Sequence, residues 1–377
     1  MGIIPKHIWE NITPANSRLA EANIKPIGSG PYKFSKIQKE ADGRIISYTL
    51  ESYNNYHDHQ PYIKTIQFKF YPDSVSSLDA LQRQNIDGLE FLPLGGKIEL
   101  SQMKTINYHS FSIPQYTALF INQSTNDKLA TKAVRAALAH AIDKNKLTQE
   151  IFGDEVSTIH GPLLPGSIGY YPEIKKYDYN IEIAEKLLDD AGWKKVENEQ
   201  YRKREDEILE VTLTTVDITD TNNIATRVKQ AWESIGVKVN LEIVPRNIIE
   251  KDIIAPRNYQ ILLFGEVLGA NQDPFPFWHS SKRQNPGVNL TSFADTQADS
   301  LLEKARLTNN KEERYELYRE FQDILIEAVP AIFLYTPNYT YPVHTKIKGI
   351  EQTRINTPAD RFNDIANWYI KTERRWK

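Results

Sequence analysis

The sequence contains no cysteine. That absence excludes disulfide cross-links, thiolate metal sites and a cysteine nucleophile together. Methionine is nearly as scarce, with 2 residues, and no stretch reaches the roughly 18 uninterrupted apolar residues that a membrane-spanning helix needs. Charge of one sign is missing too. The 46 Lys and Arg face 49 Asp and Glu, for a formal net charge of −3. Nucleic-acid and anionic-membrane binders carry a basic excess, and this chain has none. The opening residues Met1-Gly2-Ile3-Ile4-Pro5-Lys6 lack the basic segment and apolar run of an export signal.

What is present describes a folded chain. Hydrophobic residues make up 40% of the 377 and charged residues 25%, enough apolar material for two or three cores. Residues 26–34, a Gly/Pro turn cluster, lead into strand-like sequence in which Ile46, Tyr48 and Leu50, then Ile66, Phe68 and Phe70, alternate with polar neighbours. Val75, Leu78 and Leu81 predict a helix over Ser74–Arg83, and 116–121 reads as a buried strand. This first region is β-rich.

From about residue 128 the period changes. Ala133, Val134, Ala137, Leu138, Ala141 and Ile142 form a helical stripe, and Ile181–Ala191 predicts a second helix stopped by Gly192. An alternating run follows: a strand at Val211 and Leu213, a helix over Ile224–Ile235 ended by Gly236, a strand over Val237–Ile243, a short helix near 247–253 and an apolar strand at Tyr259–Glu266. That order predicts a mainly parallel sheet with right-handed crossovers. Helices carrying Ala298–Ala305 and Tyr318–Ala328 close the region, followed by a strand at Ala331–Tyr335 and a tail punctuated by Pro337 and Pro342. The charge-dense stretch Lys194–Glu210 reads as a solvated hairpin or loop.

Catalytic signatures are absent. There is no Gly-x-Ser-x-Gly elbow, Walker-type loop, dinucleotide fingerprint or His-Glu-x-x-His pair. His57 and His59 are a close pair without a third ligand nearby, so no metal or cofactor is expected. The informative stretch is Gly265–His279, which follows directly on an apolar strand. Ligands of open α/β sheets bind beyond the carboxyl ends of strands. Here the loop offers Glu266 and Asp273 for a cationic group, Asn271 for hydrogen bonding, and Phe275 and Trp278 for apolar or stacking contact. Asn289 adds a second amide, and Tyr116 and Tyr170 are candidates from other segments. The same aromatics also suit anchoring the loop onto a core.

Several motifs in one order carry a resemblance. Pro26-Ile27-Gly28-Ser29-Gly30-Pro31-Tyr32, Val134-Arg135 running to Ile142-Asp143, Gly161-Pro162 with Leu164-Pro165, and Asp178-Tyr179-Asn180 running to Gly192-Trp193 come first. Asp273-Pro274, His279-Ser280-Ser281, Asn289 and Asp299–Leu302 follow. Together they resemble the family 5 extracellular solute-binding proteins, the peptide and nickel receptors of ABC importers. The resemblance implies a two-lobed periplasmic-binding-protein-like α/β fold (type II, cluster C-like). It implies one complete α/β lobe at 113–336, a partial β-rich lobe at 26–112 and 337–377, and a remnant of an N-terminal extra domain at 1–25. An upstream segment carrying an export signal or lipid anchor is expected on the same ground.

The function so implied is that of a monomeric, non-enzymatic receptor, periplasmic or on the cell surface, which binds an oligopeptide-like solute between its lobes and hands it to permease subunits. One position departs from the pattern: peptide-binding members often carry an Asp where this chain has Ala270. A non-peptide ligand, such as an oligosaccharide or metal chelate, therefore stays open. So does a secreted hydrolase that uses scattered carboxylates, while a sensing module would need a DNA-binding or membrane segment.

Overall fold

The computed structural model describes residues 4–90, 92 and 99–370. The chain divides into two compact units, one formed by Met1–Ser112 with Tyr339–Lys377 and the other by Ile113–Asn338.

In the first unit, strands β1 (Tyr32–Lys39), β2 (Ile45–Ser52) and β3 (Thr65–Lys69) form an antiparallel sheet in that order. Helix α1 (Ser74–Gln82) starts at Asp73, whose carboxylate accepts the Ser76 amide and so satisfies one of the open N–H groups of the first turn. Its Leu78 and Leu81 pack with Leu89, Leu100 and Ile106, the last at the start of β4 (Ile106–Ser112).

The second unit is built on a sheet of order β10-β9-β11-β5-β12. These strands are β5 (Gln115–Ile121), β9 (Glu210–Val216), β10 (Lys238–Val244), β11 (Ile261–Val267) and β12 (Ala331–His344, of which residues 331–338 belong to this unit); short β6 (Val156–Thr158) pairs with β12, and β7 (Lys203–Arg204) and β8 (Glu207–Ile208) form a hairpin. Strands β9, β10 and β11 are parallel, but β5 lies antiparallel to both β11 and β12. The three strands of the alternating run are parallel as predicted, and β5 makes the sheet as a whole a mixed one. Alternation constrains only strands joined by crossover helices; β5 has no such link to its neighbours, so its direction is set elsewhere.

Strand parity sorts the side chains onto two faces. Leu119, Ile121, Val211, Leu213, Ile261, Leu263, Ile332 and Leu334 feed one core. Helices α2 (Lys132–His140), α3 (Lys144–Phe152), α4 (Ile181–Asp190) and α5 (Thr219–Ser234) contribute Val134, Leu147, Leu188 and Trp232 to the same core. Tyr116, Ala118, Phe120, Leu262, Ala331 and Phe333 face the other core, where α7 (Thr296–Leu307) and α8 (Lys311–Ala328) supply Leu301, Phe321 and Leu325. Helix α6 (Phe275–Trp278) is a single turn on this face.

The glycine stops act as the sequence suggests. Gly192 and Gly236 adopt φ +86° and +88°, a conformation that suits a residue without Cβ, just beyond α4 and α5. Two segments differ from expectation. The short helix is a wide, π-type turn at Ile249–Ile254. Strand β12 continues to His344 through Pro337 and Pro342, since the fixed proline φ fits extended backbone where no ladder N–H is required. The charged stretch does form the β7–β8 hairpin, but Arg202 at its base is buried, donating to the Ile235 and Trp193 carbonyls and pairing with Asp189 at 2.7 Å.

One buried cation organises the end of α8. Val329 follows the helix in left-handed conformation (φ 50°), which turns the last carbonyls inward. The Arg135 guanidinium collects them, donating to Ala328 at 2.6 Å and Val329 at 3.0 Å while also donating to Leu129 and Ala130 at 2.7 and 2.8 Å. Removing it orphans buried acceptors on two segments. Arg135→Met is expected to cost about 3 kcal/mol in denaturant unfolding. Arg135→Lys should recover less than half of that, because a single ammonium cannot reach four carbonyls with the guanidinium fork. Full recovery by lysine would show that charge, and not the fork, holds the helix end.

Candidate functional site

Three of the candidate residues, Glu266, Tyr116 and Trp278, gather at the end of β11, on the sheet face that carries Phe333. Register makes Glu266 the direct cross-strand partner of Tyr116. Both are buried, and the tyrosine hydroxyl donates to the carboxylate at 2.5 Å. Burial pushes the Glu266 carboxyl up to about 8; the Tyr116 hydrogen bond and the positive charge of Arg257 pull it down, and burial prevails. Tyr116 is itself held well above its ordinary value, first by burial and then by the neighbouring carboxylate. Burial thus favours the protonated, uncharged form of the Glu266 carboxyl and of the Tyr116 phenol beside it.

Trp278 packs beside the pair. It is buried, with its ring 5.7 Å from Phe333, which meets Tyr116 edge-on at 5.4 Å. The Trp278 turn is held from behind by Asn289. That buried amide donates to the carbonyls of Trp278, His279 and Phe293 and accepts from the Thr291 amide and hydroxyl. In this arrangement Asn289 fixes the loop, and its hydrogen-bonding groups are already engaged.

Phe275 and Asp273 lie further out. Asp273 accepts the Phe275 amide at 3.0 Å, starting the α6 turn, and pairs with Arg306 of α7 at 2.8 Å. The Arg306 guanidinium in turn lies 3.9 Å from the Phe275 ring, which also stacks on the His279 ring at 4.1 Å and has Lys282 Nζ over it at 5.9 Å. The aromatic is thus held in a cation-π and ring-stacking arrangement, and Asp273 already has a cationic partner. His279 Nδ1 accepts the Ser281 amide at 3.1 Å, and its Nε2 faces Glu303 at 3.3 Å. Asn271 is exposed in the loop, and Tyr170 is exposed on a separate segment. The structure therefore brings together Glu266, Tyr116 and Trp278, with Asn289 behind them. Asp273 and Phe275 form a second group, while Asn271 and Tyr170 stand apart.

Arg306, Arg257 and His279 belong to this neighbourhood, although sequence reasoning did not single them out. Arg306 sits on the polar side of a helical stripe, where a charged residue is ordinary. His279 was visible only as part of a motif. Among the described residues no group of three or more His, Cys, Asp or Glu is placed to hold a metal ion, and no helix is long and apolar enough to cross a membrane.

The raised Glu266 value has a measurable consequence. The folded chain keeps a proton that the unfolded chain releases above its ordinary value of 4.5. Stability is therefore fully present below about pH 4.5 and declines as pH rises to about 8. Glu266→Gln retains an acceptor for Tyr116 and cannot ionise. It is expected to remove this decline, so that its melting temperature overtakes that of the parent by several degrees at pH 8.5 while lying level or lower at pH 5. Parallel curves for parent and variant across that range would show that Glu266 titrates normally.

Residues 2–289 match the family model described as "Bacterial extracellular solute-binding proteins, family 5 Middle". Over 98% of its length the chain is 26% identical to the oligopeptide-binding protein AppA of Bacillus subtilis (strain 168), covering 66% of that protein. It is 23% identical to the dipeptide-binding protein of Escherichia coli (strain K12), using 87% of this chain and 59% of that one. The chain thus spans about three fifths to two thirds of the length of these relatives. Among solved structures, the AppA protein from Clostridium difficile superposes with a TM-score of 0.82 at 22% identity, covering 98% of this chain and 72% of its own. The Bacillus subtilis AppA structure in complex with a nonapeptide gives 0.71 at 24% identity, with 99% and 72% covered. The α/β solute-binding fold implied by the ordered motifs is the fold observed, and the chain belongs to the bacterial extracellular solute-binding proteins of family 5.

Proposed function

We propose that this chain is the substrate-binding component of an ABC importer, that its solute is an oligopeptide, and that it delivers the solute to permease subunits. The observation that carries the reading is the relationship along 98% of the chain to an oligopeptide-binding protein. Further support comes from relatives named for dipeptides and di- or tripeptides, and from a solved neighbour holding the peptide STSA. On this reading the protein acts as a monomer, in the periplasm or on the cell surface, and makes or breaks no covalent bond.

The candidate site suits such a task. Peptides present apolar side chains, amide groups and a terminal ammonium, and a site for them combines aromatic surface with few placed polar groups. Glu266, Tyr116, Trp278, Phe275 and Asp273 supply that combination around one strand end, with Asn271 and Tyr170 as further contacts and Asn289 as the support of the loop. A cationic group beside Glu266 would favour its ionised form, so ammonium binding there would promote proton release.

Two relatives point to another ligand class, one named a nickel-binding protein and one a heme-binding protein. The test is therefore comparative. Thermal unfolding and calorimetry with peptides from two to nine residues should show stabilisation of about 2.7 kcal/mol at a ligand concentration one hundred times Kd. Mass spectrometry should recover the peptides intact. Stabilisation by a nickel chelate or an oligosaccharide, with none by any peptide, would replace the ligand class; cleaved peptide would replace the receptor by a hydrolase.

A further inference from the structure

The first unit carries an open pocket of about 990 Å³ that shares no residue with the β11 site. It lies between Tyr62 and the segment from Gly349 to Tyr369. Among the described residues that line it there is no Lys or Arg and no aliphatic side chain. Its walls are Tyr62 and Tyr369, the carboxylates of Glu351 and Asp364, and three amide side chains. Both tyrosines are well exposed, at 66% and 47%.

The backbone around the pocket is fixed at several points. Ile347 and Lys348 pair with Ile370 and Tyr369, which sets Tyr369 close to the turn at Gly349. Gly349 adopts φ +86°, and a Cβ there would stand 2.5 Å from the Asn367 carbonyl oxygen, so the two segments approach as only glycine allows. Asp364 joins them again. One of its oxygens accepts the Trp368 indole N–H at 2.8 Å, and the other accepts the Glu351 amide at 3.3 Å. The Tyr62 loop is tied on through His59, whose Nε2 lies 3.3 Å from the Ala366 carbonyl oxygen and whose ring centre is 5.6 Å from that of Tyr62.

The Asp364 oxygens are spent on this framework, but other polar groups of the lining are not. Gln352 donates from Nε2 to the Arg354 carbonyl at 2.7 Å, while its Oε1 is buried without a partner. A buried acceptor left unpaired is costly, and a ligand hydroxyl would relieve it. Among the described residues no hydrogen bond or ion pair engages the side chains of Glu351, Asn363 or Asn367. The framework is thus satisfied within the chain, and the groups that face the opening are left for a ligand.

Their chemistry selects among ligand classes. A phosphate or carboxylate would meet two carboxylates and no lining cation. An acyl chain or apolar side chain would find no aliphatic wall. An amine would be drawn to Glu351, but it offers no acceptor to the Asn363 and Asn367 amides. A sugar ring carries neighbouring hydroxyls that both donate and accept, around an apolar C–H face that packs on aromatic rings. We infer that this pocket binds a neutral saccharide, with Tyr62 and Tyr369 as packing surfaces, Gln352 and Glu351 as acceptors of its hydroxyls, and the Asn363 and Asn367 amides completing the hydrogen bonding. The pocket takes this ligand whatever solute the second unit holds, and the chemistry is the same for a free sugar and for the glycan of a polymer.

Titration of the 377-residue chain with maltotriose and with triacetylchitotriose tests this, read by calorimetry and by the side-chain amide NMR signals of Asn363 and Asn367. At least one trisaccharide should bind below about 10 mM and shift those signals. Tyr62→Ala and Tyr369→Ala should each weaken binding by about fivefold to tenfold, the loss of one aromatic contact, with thermal unfolding unchanged because both side chains are exposed. Glu351→Gln keeps an acceptor and should cost no more than about threefold. Co-sedimentation with insoluble starch or chitin separates the two sources. Pelleting that Tyr62→Ala abolishes assigns a polymer glycan, and trisaccharide binding without pelleting assigns a free sugar; either supports the inference. Three results would overturn it: no binding of either trisaccharide, binding that neither tyrosine variant weakens, which puts the sugar elsewhere, and binding of putrescine in place of both sugars, lost in Glu351→Gln, which makes the pocket an amine site.

Discussion

Everything in the second unit depends on β5 being buried on both faces. Residues 116–121 run through the middle of the sheet, hydrogen-bonded to β11 on one side and β12 on the other. Parity then divides the strand: Leu119 and Ile121 enter one core, and Tyr116, Ala118 and Phe120 enter the other. A strand placed this way has no solvent face, and its six residues are correspondingly apolar apart from Thr117. Because the two helical layers meet opposite faces of the same strand, neither layer can shift without disturbing the other. The same parity governs the site. Glu266 and Tyr116 fall on the face of Phe120 and Phe333, so a carboxyl is carried into an apolar layer by the register that packs the core.

That placement explains the electrostatics. A lone carboxylate in an apolar layer is strongly disfavoured, and the usual outcome is that the group keeps its proton. Tyr116 offers a hydrogen bond and Arg257 a positive charge, yet neither outweighs burial. Asp273 shows the opposite solution a short distance along the chain. It is only part-buried and meets Arg306 directly. Two carboxyls a few residues apart therefore meet different surroundings, one an apolar layer and a phenol, the other a guanidinium.

Local signals in the sequence survived folding well. Gly192 and Gly236 end the helices they were expected to end, and the 3.6-residue stripes of α2, α4, α5, α7 and α8 are the buried stripes observed. Long-range properties did not show. Hydrophobic alternation specifies that 116–121 is a buried strand but carries no information on its direction, which depends on neighbours more than a hundred residues away. Pro337 and Pro342 read as interruptions because proline usually is one; only the pairing pattern reveals that β12 tolerates them. For the site, the loop after β11 was legible, since position beyond a strand end and composition both mark it. The allocation of hydrogen bonds within it was not. Asn289 looked available and is consumed by the loop's own carbonyls, while Arg306 gave no signal because a helix surface arginine is commonplace.

The two units show what a central and an edge position do to similar strands. In β9 and β11 every edge is paired, and apolar residues on both faces meet helices. In β3 the same alternation of apolar and polar residues appears, but one edge ends at a groove and Phe70 stays more than half exposed. Sequence pattern alone does not distinguish these cases, because Ile66, Phe68 and Phe70 are patterned for a face that needs covering. An exposed, apolar strand edge is a template for further pairing, and soluble proteins ordinarily protect such edges with charge, proline or a covering element. Here Lys69 reaches from the strand to the Asn85 carbonyl, bridging the walls of that groove at one end only. A single lysine shields a row of amides poorly, so the pairing capacity of this edge follows from the strand's own register rather than from its side chains.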